Sequence, residues 1–78
     1  MTRQEANFEL LNILSKLVVK HPYLRFNQIL IDSEVLEMDE VLCNGERENV
    51  IKDSFYEESE DTLKRVKKNK FAFNELYN

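Results

Sequence analysis

The sequence predicts an all-α fold: a small bundle of three or four helices forming a single helical domain over residues 1–78. Breakers are scarce, with one glycine and one proline in the whole chain, so there are few points where a helix is obliged to stop. A third of the residues are charged and no Ser/Gly-rich tract is present, a composition that favours helix. Near both ends of the chain, apolar residues recur at the i, i+3, i+4 spacing of a buried helical stripe. A chain of this length buries roughly 60–65% of its unfolded surface, which leaves a thin margin of stability. An oligomer or a partner would widen that margin.

The first helix is predicted over 3–20. Ala6, Leu10, Ile13, Leu14, Leu17 and Val18 form its stripe. Phe8 and Leu11 widen it, so the helix is expected to be covered on two sides. Thr2 is the expected N-cap, with Glu5 in the capping-box position. Glu5 and Glu9 lie near the N-terminus and Lys16 and Lys20 near the C-terminus, an order that complements the helix dipole.

His21-Pro22 ends this helix, because the residue before a proline is pushed out of the helical region. Proline suits a first helical turn, which places a second helix at 22–31. Phe26, Ile29 and Leu30 share one of its faces, and Leu24, Gln28 and Ile31 the other. In the middle of the chain, Ser33 can cap a short helix containing Val35, Met38, Val41 and Leu42 and ended by Asn44-Gly45. An extended acidic loop is the alternative; the short helix is preferred. Residues 45–54 are then a polar loop anchored by Val50 and Ile51. The last helix runs over 59–70, with an extension to 77. Ser59 is its expected N-cap, and Glu60 and Asp61 occupy its first turn. Leu63, Val66, Phe73 and Tyr77 fall on one arc. Phe71 and Leu76 fall off it, which predicts a break near Asn69.

Charge is unevenly placed. Residues 1–31 carry four bases and two acids, 32–61 two bases and twelve acids, and 62–78 five bases and one acid. The net charge of −4 makes the chain a poor generic nucleic-acid binder. The single Cys43 excludes an internal disulfide framework and fits a reducing cytoplasm. No signal peptide is expected, and the apolar runs fall well short of the ~20 residues a membrane span needs.

Two segments stand out. The first holds Pro22, Leu24, Arg25, Phe26, Gln28 and Ile29; the second holds Asp53, Phe55, Tyr56, Glu58 and Leu63. Together they resemble a group of small uncharacterised proteins of bacteriophages and other bacterial mobile elements. That group has a Pro-x-Leu-Arg-Phe-x-Gln motif after a leading helix and an Asp-x-Phe-Tyr-x-Glu motif before a final one. Ser54 stands where the second motif often has proline, and the middle, 32–52, is longer and more acidic than usual. The resemblance implies an origin and no shared activity.

Arg25 and Gln28 lie i, i+3 on the second predicted helix. Arginine's fork of donors suits carboxylates and phosphates, so the functional reading of the pair is a partner contact, with the structural reading that follows preferred because half-buried charges are normally paired. The structural alternative has Arg25 tied to Asp53, Glu57 or Glu58. Phe55-Tyr56, beside Glu57 and Glu58, is read as an aromatic hot spot or as Phe55 in the core with Tyr56 covering its edge. Lys64, Arg65 and Lys68 share an outward face that could track a phosphate backbone; a solvated face is the plainer reading. Lys67 and Lys70 flank the apolar arc. The acidic block from Asp32 to Asp61 could present carboxylates in place of phosphates, or simply be solvated. His21 and Cys43 show no metal-ligand spacing, and the single Gly45 cannot build a phosphate loop.

These observations lead to an expectation of a non-enzymatic phage or mobile-element accessory protein. It would bind a host or phage protein through Arg25, Gln28, Asp53, Tyr56, Glu57 and Glu58, with no catalytic residue, metal, cofactor or membrane. The alternatives are a nucleic-acid-associated regulator using Lys64, Arg65 and Lys68, and a self-assembling homo-oligomer.

Overall fold

The computed structural model describes residues 1–77, with side chains described through Phe73. Helices α1 (Arg3–Lys20) and α2 (Phe26–Asp32) are followed by strands β1 (Met38–Cys43) and β2 (Glu46–Ile51), then by helices α3 (Ser59–Lys68) and α4 (Lys70–Tyr77). The architecture is therefore a small α+β fold, which corrects the all-α expectation.

The correction lies in the middle of the chain. Where a short helix and a polar loop were expected, β1 and β2 pair antiparallel, from Met38 opposite Ile51 to Cys43 opposite Glu46. The physical reason is the turn. Asn44 and Gly45 both have positive φ, 53° and 83°, and two consecutive residues of this kind make the two-residue turn whose twist matches a hairpin. Glu34, also at positive φ, ends any helical path from α2. The i, i+3 spacing of Val35, Met38 and Val41 imitated a helix, while the Asn-Gly pair decided the outcome.

The helices follow the sequence more closely. Thr2 and Glu5 form the expected capping box: the Thr2 hydroxyl accepts from the Glu5 N–H and the Glu5 carboxylate accepts from the Thr2 N–H, both at 3.1 Å. Ala6, Ile13 and Leu17 are buried, joined by Ile29, Leu63, Val66 and Ala72. Leu10, Leu14, Leu24, Val35 and Phe71 pack around this core. Phe8 and Leu11 remain exposed, so the expected second cover on α1 is absent among the described residues. Helix α2 starts at Phe26, four residues later than expected. Pro22 sits instead in a turn closed by the Leu24 N–H on the His21 carbonyl, and Arg25 is extended. Ser33 is fully buried and donates to the Leu30 carbonyl, closing α2 rather than opening a new helix.

Helices α3 and α4 are separated at Asn69, whose backbone is extended and whose side-chain oxygen accepts from the Ala72 N–H at 3.0 Å. Asn69 thereby caps α4. Ser59 is the first residue of α3 and Glu58 its N-cap, one position earlier than expected. Arg3 pairs with Glu58 at 2.9 Å and Glu9 with Lys67 at 3.1 Å, so α1 and α3 run in the same direction. Phe71 of α4 stacks on His21 at the end of α1, with ring centroids 4.6 Å apart. The expectations for the side chains of Leu76 and Tyr77 lie outside the described residues.

Every residue of both strands is exposed. The hairpin therefore projects from the helical body, which accounts for a radius of gyration of 13.8 Å where a compact chain of this length would have about 11.5 Å.

Candidate interaction surface

The electrostatic centre of the molecule is Arg65. Its side chain is only 18% exposed, in contrast to the outward position expected of it. The Nε donates to the Glu34 carbonyl at 2.8 Å and Nη2 to the Val35 carbonyl at 3.2 Å. The two Nη atoms also grip the Glu57 carboxylate, at 2.7 and 2.9 Å. The Glu37 carboxylate lies 2.9 Å from Nη1. Thr62 adds its hydroxyl to Glu57. These hydrogen bonds hold the Glu57 carboxyl down at about 2, because each of them favours the charged form. Asn69 extends the cluster by donating to the Asp32 carbonyl and the Glu34 carboxylate. One side of α3 thus fixes both ends of the projecting segment: residues 34–37, which lead into β1, and Glu57, which follows β2. The Lys52 N–H on the Glu37 carbonyl, at 2.8 Å, closes the base of the hairpin.

Two further features stand on this base. The first is the loop at 53–57. The Asp53 carboxylate accepts from the Phe55 N–H and the Ser54 carbonyl from the Glu57 N–H, a turn that Asp at its start favours. At its tip Phe55 and Tyr56 are 83% and 90% exposed. Their rings meet edge to face at 5.0 Å. Phe55 does not enter the core, so the structural alternative for this pair is not what the chain adopts. With Arg3, Glu57, Glu58 and Ser59 the two rings border an open hollow of about 360 Å³.

The second feature is the hairpin. Residues opposite each other in an antiparallel pair share a face. One face carries Asp39 opposite Val50, Val41 opposite Glu48 and Cys43 opposite Glu46. The other carries Met38 opposite Ile51, Glu40 opposite Asn49 and Leu42 opposite Arg47. The second face is neutralised locally, since Glu40 lies 3.6 Å from Arg47. The first has three carboxylates, Asp39, Glu46 and Glu48, around Val41 and Val50, and no base. Of the twelve acids between 32 and 61, Glu37, Glu40, Glu57, Glu58 and Glu60 are ion-paired among the described residues. Asp39, Glu46 and Glu48 make no ion pair among the described residues, so the first face of the hairpin keeps its negative charge uncompensated.

The sequence-predicted site residues are distributed as follows. Arg25 is exposed and makes no ion pair among the described residues; Asp53, Glu57 and Glu58 are occupied by Phe55, Arg65 and Arg3 respectively. The expected tie from Arg25 to these acids is thus replaced by Arg65 and Arg3. Gln28 is exposed on α2. Of the three basic residues proposed to face nucleic acid, Lys64 is 3.7 Å from Glu60, Lys68 is exposed, and Arg65 is turned inward. The Arg65–Glu57 pair went unread because it joins two segments through the tertiary fold. The hairpin had a local signal, Asn44-Gly45, that was read as a helix stop.

Among the described residues no group of three or more His, Cys, Asp or Glu could hold a metal ion, and no helix is long and apolar enough to cross a membrane. No family model, no curated protein and no solved structure matches this chain.

Proposed function

We propose that this chain is a non-enzymatic accessory protein of bacteriophage or mobile-element type. In this reading it acts in the cytoplasm of a bacterial host, where it binds a host protein and modulates or inhibits it. The observation that carries the reading is the projecting hairpin, one face of which sets around two valines three carboxylates that make no ion pair among the described residues. Such a face suits a basic, partly apolar protein surface, because complementary potentials steer encounter and fix register. The exposed Phe55-Tyr56 pair adds the aromatic anchors typical of binding hot spots. A nucleic-acid partner is the less favoured reading, since the most buried cation of the C-terminal half, Arg65, is consumed internally.

The test is affinity capture from nuclease-treated bacterial lysate, comparing the tagged chain with a variant carrying Asp39→Lys, Glu46→Lys and Glu48→Lys. The expected result is one host protein held by the original chain, released by moderate salt and absent from the variant. Capture of the same protein by both would remove the hairpin face from the interface. Loss of every partner on nuclease treatment would replace the reading with nucleic-acid binding.

A further inference from the structure

Two strands alone have little stability in water, and every residue of β1 and β2 is exposed. The Lys52 N–H on the Glu37 carbonyl fixes which backbone groups the hairpin uses internally, because bonded and non-bonded pairs alternate along an antiparallel ladder. Asp39–Val50, Val41–Glu48 and Cys43–Glu46 are therefore the bonded pairs. Met38, Glu40 and Leu42 turn their N–H and C=O groups outward along the β1 edge, and Arg47, Asn49 and Ile51 along the β2 edge.

The two edges differ. On β1 the central outward N–H, that of Glu40, is taken by the Asp39 carboxylate at 3.0 Å. On β2 no outward N–H or C=O has a partner among the described residues. The β2 edge is thus the open one, and an open edge is a template for another strand. Its side chains set the chemistry of that strand. Glu46 and Glu48 share a face, about 6.8 Å apart at 3.4 Å per residue. Inside the hairpin they stand opposite Cys43 and Val41, so neither meets a base there. Their other cross-strand position lies beyond the β2 edge.

We infer that an extended segment of the host protein adds to β2 as a third strand, antiparallel to it, with basic residues at two alternate positions. This contact rests on the host-protein reading and specifies its chemistry. Backbone bonds of strand addition supply affinity, and alternate side chains supply specificity. Bases set against Glu46 and Glu48 make cross-strand pairs of opposite charge, and an apolar residue two places away meets Val50. The next position on this face belongs to Lys52, so the segment carries no base opposite it. Antiparallel addition continues the ladder already present, whose perpendicular bonds are the more stable per residue. From its N-terminus the segment therefore reads apolar, any residue, basic, any residue, basic.

An NMR titration of the full chain with a synthetic peptide, Thr-Val-Thr-Lys-Thr-Lys-Thr, tests the added strand. Bound antiparallel, its valine meets Val50 and its lysines meet Glu48 and Glu46. Amide exchange at Arg47, Asn49 and Ile51 should slow about fivefold or more in saturating peptide, while exchange at Met38, Glu40 and Leu42 stays unchanged. A peptide of the same composition with adjacent lysines puts one on each face and should bind about threefold more weakly. Asn49→Pro removes an outward donor but no internal bond, and should weaken binding about tenfold. Glu40→Pro, the matched change on the opposite edge, should leave binding within about twofold. Slow exchange at Val41 and Val50 verifies the hairpin in each variant; if either loses it, the protection pattern of the unaltered chain decides. Equal protection on both edges, no protection on β2, or full binding by a folded Asn49→Pro chain would each overturn the added strand. Host capture that is lost with Asp39→Lys, Glu46→Lys and Glu48→Lys but kept with Asn49→Pro would remove the strand and leave the host-protein reading standing. Capture indifferent to all of them would remove that reading as well.

Discussion

Arg65 holds Glu57 by two nearly parallel N–H···O bonds, 2.7 and 2.9 Å long. Both side chains are largely withdrawn from solvent, at 18% and 25% exposure. The guanidinium also reaches the carbonyls of Glu34 and Val35, so a single residue of α3 joins the segments on either side of the hairpin.

Replacing Arg65 by Ala should be the most damaging surface-proximal change in the molecule. It leaves Glu57 partly buried without a counter-charge and frees two carbonyls. The expected loss is about 3 kcal/mol, the lower end for breaking a buried pair. Arg65→Lys keeps the charge but not the fork of donors, and should lose about half as much. Urea denaturation followed by circular dichroism measures both.

The same pair predicts a specific acid response. The Glu57 carboxyl is lowered from 4.5 to about 2. A lowered carboxyl contributes stability that is fully present above its unfolded value and is lost as pH falls through the folded one. Stability should therefore decline between about pH 4.5 and pH 2, with Glu57 contributing about 2–3 kcal/mol after allowance for its partial exposure. Glu5 and Glu58 are shifted in the same direction, by bonds to Thr2 and Arg3 respectively. Denaturation curves of the original chain and of Glu57→Gln across this range should converge at the acid end. Parallel curves would show that Glu57 is not the group responsible.

Gly45→Ala tests the turn. At φ 83° the position is strained for any side chain, yet an added Cβ would meet nothing within 4 Å. The cost is then conformational alone, about 1 kcal/mol. A two-stranded hairpin in water has little stability of its own. Amide exchange in β1 and β2 should accelerate about fivefold or more, while exchange in α1 and α3 stays unchanged. Equal acceleration in all elements would mean that hairpin and helices unfold as one unit.

Phe55→Ala and Tyr56→Ala separate recognition from folding. Neither ring contributes to the core, so each variant should stay within about 0.5 kcal/mol of the original stability. If the loop forms part of the protein-binding surface, each should weaken capture of the host protein by tenfold or more, the loss typical of an aromatic anchor. Unchanged capture would confine the interface to the hairpin.

Much of the helical framework was legible in the sequence because its causes are local. Thr2 and Glu5 cap α1 through atoms three residues apart. Ala6, Ile13 and Leu17 share a face by helical geometry, as do Leu63 and Val66. The break at Asn69 follows from Phe71 falling off the apolar arc and from the tendency of asparagine to bond nearby backbone. The Asn44-Gly45 turn was equally local, but its signal competed with the helical spacing of Val35, Met38 and Val41. The turn prevails because two consecutive residues with positive φ cannot continue a right-handed helix, whereas they close a hairpin without strain.

The assignment of charges to partners belongs to the tertiary structure. Arg25 and Arg65 are chemically equivalent in the sequence, and both have acids within reach along the chain. Which one clamps Glu57 depends on α3 packing its Leu63–Val66 face against α1 and bringing Arg65 beside residues 34–37. The two-sided character of α1 divides in the same way. Its apolar residues are arranged around the helix by sequence, but only the packing of α2, α3 and α4 decided that Ile13 and Leu17 are covered while Phe8 and Leu11 face solvent. A helix offers both faces by its periodicity; with so short a chain, there are enough neighbours to cover only one.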